Sequence, residues 1–130
     1  MNPSAAIVVR VMPKTPAHPY YGVGSPLGYV VVGAGEGATL TLARGRRYAI
    51  DVSTGGAHPL YLSTSPKGGM GAPGALTAPI ADGVVTIDTS ALPATCYYEC
   101  ALHDYMGGAI VIADDPQQHL YSPPPTCGIV

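Results

Sequence analysis

Tyr97-Tyr98-Glu99-Cys100-Ala101-Leu102-His103-Asp104-Tyr105-Met106-Gly107-Gly108 places a thiol, an imidazole and a thioether three residues apart from one another. A strand ends and a tight loop begins there, so one short loop aims three donor atoms at a single point. A fourth ligand must come from a distant strand, and His58, opening the run His58-Pro59-Leu60-Tyr61-Leu62, is the obvious supplier. Two His, one Cys and a weak axial Met form the trigonal donor set that suits copper in both oxidation states. Thiolate and thioether favour Cu(I), and imidazole accepts either state. Little rearrangement on electron transfer follows. The metal ligands expected are His58, Cys100, His103 and Met106, around one copper ion.

The rest of the chain reads as a small all-β domain. Apolar alternation appears over 6–11, 28–32, 38–42, 46–52, 58–63, 83–88, 95–100 and 108–112, each stretch flanked by Gly, Pro, Asp or Ser. Eight short strands fit a sandwich. Leu40 and Leu42 share one face of their run, and Tyr48, Ile50 and Val52 share one face of theirs. Arg44-Gly45 between them reads as a tight hairpin connection. Thr64 to Asp82, rich in Gly and Pro and without a period, is expected to be a long irregular loop. A single helical turn near Ala78 to Ala81 is the most helix the sequence suggests. With nine Tyr and no Phe or Trp, tyrosine must serve as the aromatic core, and Tyr48, Tyr61 and Tyr98 are the expected buried members.

At 130 residues the chain is long enough for one domain with a real core and too short for two ordinary ones. The domain is expected over 1–113, with 114–130 as a proline-rich tail packed on its outside. Charged residues are 11% and the net charge is −2, so there is no basic stripe to neutralise phosphates and nucleic acid is not an expected partner. No stretch reaches the roughly 20 apolar residues of a membrane helix, and the first ten residues hold too few for an export signal. A soluble chain of open compartment is expected.

The ligand loop resembles that of the cupredoxins, the blue-copper proteins, which run Cys-x(2–4)-His-x(2–4)-Met after an upstream His. The present loop is the shortest variant. The likeness extends to Gly45 through Val52, His58 through Tyr61, Cys96 through Gly108 and, upstream, His18-Pro19-Tyr20-Tyr21-Gly22 with Gly28-Tyr29, about residues 14 to 113 in all. Glu99 stands where the similar microbial and viral domains have Gln. The resemblance implies an eight-stranded Greek-key sandwich with copper near one end, under an apolar patch through which His103 conducts electrons. If the protein is an electron carrier, a redox partner is expected to dock at that apolar end, around Pro59, Leu60, Leu102 and Tyr105.

Three cysteines leave at least one sulfur for other chemistry. Cys96 invites comparison with a binuclear copper centre that would use both Cys96 and Cys100, but four extended residues separate them by about 13 Å. The simpler expectation is a disulfide between Cys96 and Cys127 that pins the tail, and it points to an oxidising compartment. His18 and His119 read as solvated surface histidines, Met70 as a loop residue, and Asp82, Asp88, Asp104, Asp114 and Asp115 as turn formers or solvated charges. An electron carrier is the first functional reading, and copper capture without a redox partner is the second. A copper enzyme would need further His-ligated copper, for which only His18 and His119 remain. A module that uses the metal only for rigidity is the fourth. Because Pro59 has no amide proton to offer a ligand sulfur, such a bond is expected from the 101–103 amides.

Overall fold

The computed structural model describes residues 6–114. Nine strands follow one another: β1 (Ala6–Pro13), β2 (Leu27–Val31), β3 (Gly35–Glu36), β4 (Leu40–Ala43), β5 (Arg47–Ser53), β6 (Leu60–Ser63), β7 (Asp82–Asp88), β8 (Thr95–Cys100) and β9 (Gly108–Ala113). All eight apolar runs form strands, and β3 adds a two-residue edge. The strands make two mixed sheets, ordered β3-β2-β1-β5-β7 and β4-β9-β8-β6. Parallel pairs β1/β5 and β4/β9 sit among antiparallel ones.

The inward faces close over one core. Val9, Tyr29, Val31, Ile50, Val52 and Ile87 come from the first sheet, and Leu42, Leu60, Leu62, Tyr98, Ile110 and Ile112 from the second. Each buried large side chain contributes about 1.5–3 kcal/mol of apolar transfer. Alternate residues face out, as a two-residue period requires.

The Arg44-Gly45 turn differs from the hairpin expected. Gly45 does take a positive φ of 81°, but β4 pairs β9 while β5 pairs β1 and β7. The turn therefore carries the chain from one sheet to the other, and the Leu42 and Ile50 faces meet across the core rather than side by side. Thr89 braces this crossing: its hydroxyl donates to Ala43 O at 2.6 Å and accepts from the Arg46 amide at 3.0 Å. A turn signal encodes chain reversal and not which neighbour each strand will find.

Two smaller expectations also change. No helical turn forms at Ala78 to Ala81; Ile80 instead bridges Leu60, and a 3-10 turn spans Thr89–Ala91, capped by the Asp88 carboxylate on the Ser90 amide. Tyr48 is only half-buried, its hydroxyl accepting from the Ala43 amide, whereas Tyr29 joins Tyr61 and Tyr98 in full burial.

Candidate metal centre

Strand register brings the distant histidine to the loop. β6 pairs β8 antiparallel with Leu60 opposite Cys100, so His58, two residues before Leu60, falls just beyond the end of β8, where the ligand loop turns. The Ala101 amide donates to Pro59 O at 2.8 Å and extends that pairing by one step. Upstream, the His58 amide donates to the Thr54 hydroxyl, and the Asp82 carboxylate accepts from the Thr54 and Gly55 amides, closing the turn that precedes the histidine.

The donor atoms of His58, Cys100 and His103 lie within 4.8 Å of one another. Cys100 Sγ is 3.9 Å from His58 Nδ1 and 3.5 Å from His103 Nδ1. Bonds of about 2.0–2.3 Å to one central ion, arranged trigonally, would separate sulfur from nitrogen by about 3.8 Å. The two observed spacings bracket that value. Both rings present Nδ1 to the sulfur, with centroids 4.8 Å apart. Cys100 and His58 are buried and His103 is partly exposed. Burial first, then the neighbouring His103, lowers the His58 pKa from its ordinary value, so the ring is held in the neutral form that ligates. The Leu102 amide donates to Cys100 Sγ at 3.4 Å, within the 101–103 segment expected to supply that bond. The donor set and its spacing fit one copper ion.

Met106 is fully buried at the end of the same loop. Its carbonyl accepts from the Tyr29 amide at 2.7 Å and from His18 Nε2 at 3.0 Å. The expectation of a solvated His18 is overturned: the residue is 3% exposed, and Nδ1 accepts from the Tyr20 amide at 3.0 Å, which leaves the proton on Nε2. Nothing in the spacing of His18 named a partner 88 residues away.

Two flanking loops grip the ligand loop. On one side the Ser25 amide donates to Asp104 O and Tyr20 packs against Tyr105, ring centroids 4.9 Å apart. Lys14 ties that side down, donating from Nζ to the Tyr20 and Val23 carbonyls. On the other side, the glycine-rich loop sends the Gly69 amide to Cys100 O, and the Tyr105 amide returns to Lys67 O. Tyr105 sits at φ 57°, a region a side chain occupies only when its surroundings hold it there.

Glu99 lies beneath the glycine-rich loop, fully buried, with Oε1 accepting from the Gly107 amide at 3.0 Å. Its Oε2 has no hydrogen-bond partner among the described residues. Burial pushes its pKa up to about 8, so the carboxyl is neutral at pH 7.

Cys96 is a core residue of β8, fully buried and outside the His58, Cys100 and His103 group. That separation removes the geometric basis for a binuclear centre sharing Cys96. The expected bond to Cys127 lies outside the described residues, as do His119, Asp115 and the tail. Leu60, expected at the docking end, is instead buried in the core, while Leu102 is 44% exposed. No helix among the described residues is long and apolar enough to cross a membrane.

Two mixed sheets closed over a His-Cys-His cluster at one end define a cupredoxin-type β-sandwich. Among solved structures, the chain is similar to the copper protein rusticyanin at a TM-score of 0.54 and 16% identity, covering 83% of this chain and 78% of that one. It is similar to reduced rusticyanin at 0.51 and 15%, covering 83% and 79%. No family model matches the sequence, and no curated protein matches it.

Proposed function

We propose that this protein is a one-electron carrier holding one copper ion through His58, Cys100, His103 and Met106. The observation that carries the reading is the spacing of Cys100 Sγ from the two Nδ1 atoms, 3.9 and 3.5 Å, which lets the three donors face one ion. The sandwich shared with rusticyanin, itself a copper protein, supports it. Bound copper would supply a reversible Cu(II)/Cu(I) couple.

The chain's own residues do the rest. Cys100 supplies the thiolate and the Leu102 amide stabilises negative charge on it. His58 is buried and closes the site from the core side. Met106, buried at the loop's end, would supply a soft thioether donor. His103 is partly exposed beside Leu102, which favours electron exchange through that edge over sequestration of copper. A redox partner with a small apolar face would dock around Leu102, Pro59 and Tyr105. His18 is committed to the Met106 carbonyl, which supports a carrier over an enzyme that would need it for a second copper.

Copper titration followed by visible absorption and electron paramagnetic resonance tests the reading, on wild type and Cys100→Ser. An intense thiolate-to-copper band with a four-line mononuclear spectrum, lost in the variant, is expected. A seven-line spectrum would replace it with a binuclear centre, and the absence of any band in folded protein would overturn copper binding through Cys100.

A further inference from the structure

Tyr29 belongs to β2 in the first sheet, whereas Cys100 and the ligand loop issue from the second. Its ring crosses the core, fully buried, against Tyr98 at a centroid distance of 6.4 Å. The hydroxyl donates to His58 O at 2.9 Å. The backbone amide of the same residue donates to Met106 O at 2.7 Å, and its carbonyl accepts from the Gly37 amide at 2.9 Å. The hydroxyl also lies beside the Cys100 thiol. One residue thus spans the carbonyls of His58 and Met106 and passes beside Cys100.

We propose that Tyr29 is a positioning residue for the metal centre: its rigid ring and its own amide set the separation of His58 from Met106 across the sandwich. The proposal rests on the copper reading given above. An aromatic side chain has two rotatable bonds and no slack along its length. Bonded at both ends, it opposes any drift of the His58 turn away from the ligand loop. A site so braced cannot relax toward the tetragonal geometry that Cu(II) prefers. Releasing the His58 carbonyl would let it do so.

The test compares copper-loaded wild type, Tyr29→Phe and Tyr98→Phe. Tyr98 is an equally buried core tyrosine whose hydroxyl donates to Ala38 O at 2.6 Å, so it controls for the loss of a buried hydrogen bond. In Tyr29→Phe the ratio of Cu(II) to Cu(I) affinity should rise about tenfold, read as a fall in potential of about 59 mV. Its copper hyperfine splitting should widen and its electron self-exchange slow. Tyr98→Phe should lose similar stability and keep the wild-type spectrum and potential. Wild-type values in Tyr29→Phe, or equal shifts in both variants, would overturn the proposal. Should Tyr29→Phe not fold, 3-fluorotyrosine at position 29 alone, a stronger donor of the same shape, must move the potential and the hyperfine splitting; unchanged values overturn the proposal equally. A wild type that folds without a thiolate-to-copper band removes the copper reading itself, a result seen before either variant is made.

Discussion

His18 Nε2 donates to the backbone carbonyl of Met106 across 3.0 Å, and its other ring nitrogen accepts from the Tyr20 amide. A neutral imidazole thereby joins the loop after β1 to the end of the ligand loop. Gly28 leaves it room, since a Cβ there would press on the ring.

His18→Ala removes one of the two donors on the Met106 carbonyl and leaves a void. A loss of about 1–3 kcal/mol is expected from the buried acceptor alone, measured by chemical denaturation of the metal-free protein. If copper is bound, its spectrum should also broaden as Met106 becomes less constrained. Unchanged stability would mean that water replaces the imidazole without cost.

Glu99 makes stability depend on pH. Its folded carboxyl holds a proton up to about pH 8, against an ordinary value of 4.5. Between these values the folded state binds more protons than the unfolded one, so its contribution is complete below about pH 4.5 and is lost as pH rises through about 8. The slope approaches about 1.4 kcal/mol per pH unit at most. His18 and His58, kept neutral by burial, act in the opposite sense below their ordinary value of 6.5. The comparison is therefore metal-free wild type against Glu99→Gln, by urea denaturation at pH 5, 6.5 and 8. The variant should gain relative stability steadily toward pH 8; a constant difference would place Glu99 in contact with water.

Gly107 runs against β8 so closely that a Cβ would be driven into the Tyr98 carbonyl. Gly107→Ala should cost at least the upper end of the ~1–3 kcal/mol typical of overpacking. It should also displace the amide that Glu99 accepts. Thermal unfolding checks the first effect, and a weakened copper band the second.

Cys96 is a buried thiol whose pKa burial raises, so it behaves as a small apolar side chain. Cys96→Ala should lose about 1–2 kcal/mol and retain the full mononuclear spectrum. Loss of the copper band in folded Cys96→Ala would return Cys96 to the site.

Strand positions and the His58, Cys100 and His103 grouping were both readable before any fold was known. Apolar alternation is a local consequence of burying one face, so all eight runs were legible, and Cys100 and His103 were legible as neighbours because one loop carries them. His58 could be named from donor chemistry, although only the Leu60–Cys100 register explains how it arrives. Tertiary structure alone decided which sheet each strand joins. The turn at Gly45 was readable as a reversal, but pairing is chosen by competition among all strands. It alone made His18 a buried strut, Tyr29 a bridge from His58 to Met106 and Glu99 a neutral acid. Each of these roles depends on a backbone carbonyl or amide that any residue could present, so no side-chain identity elsewhere in the sequence announces it.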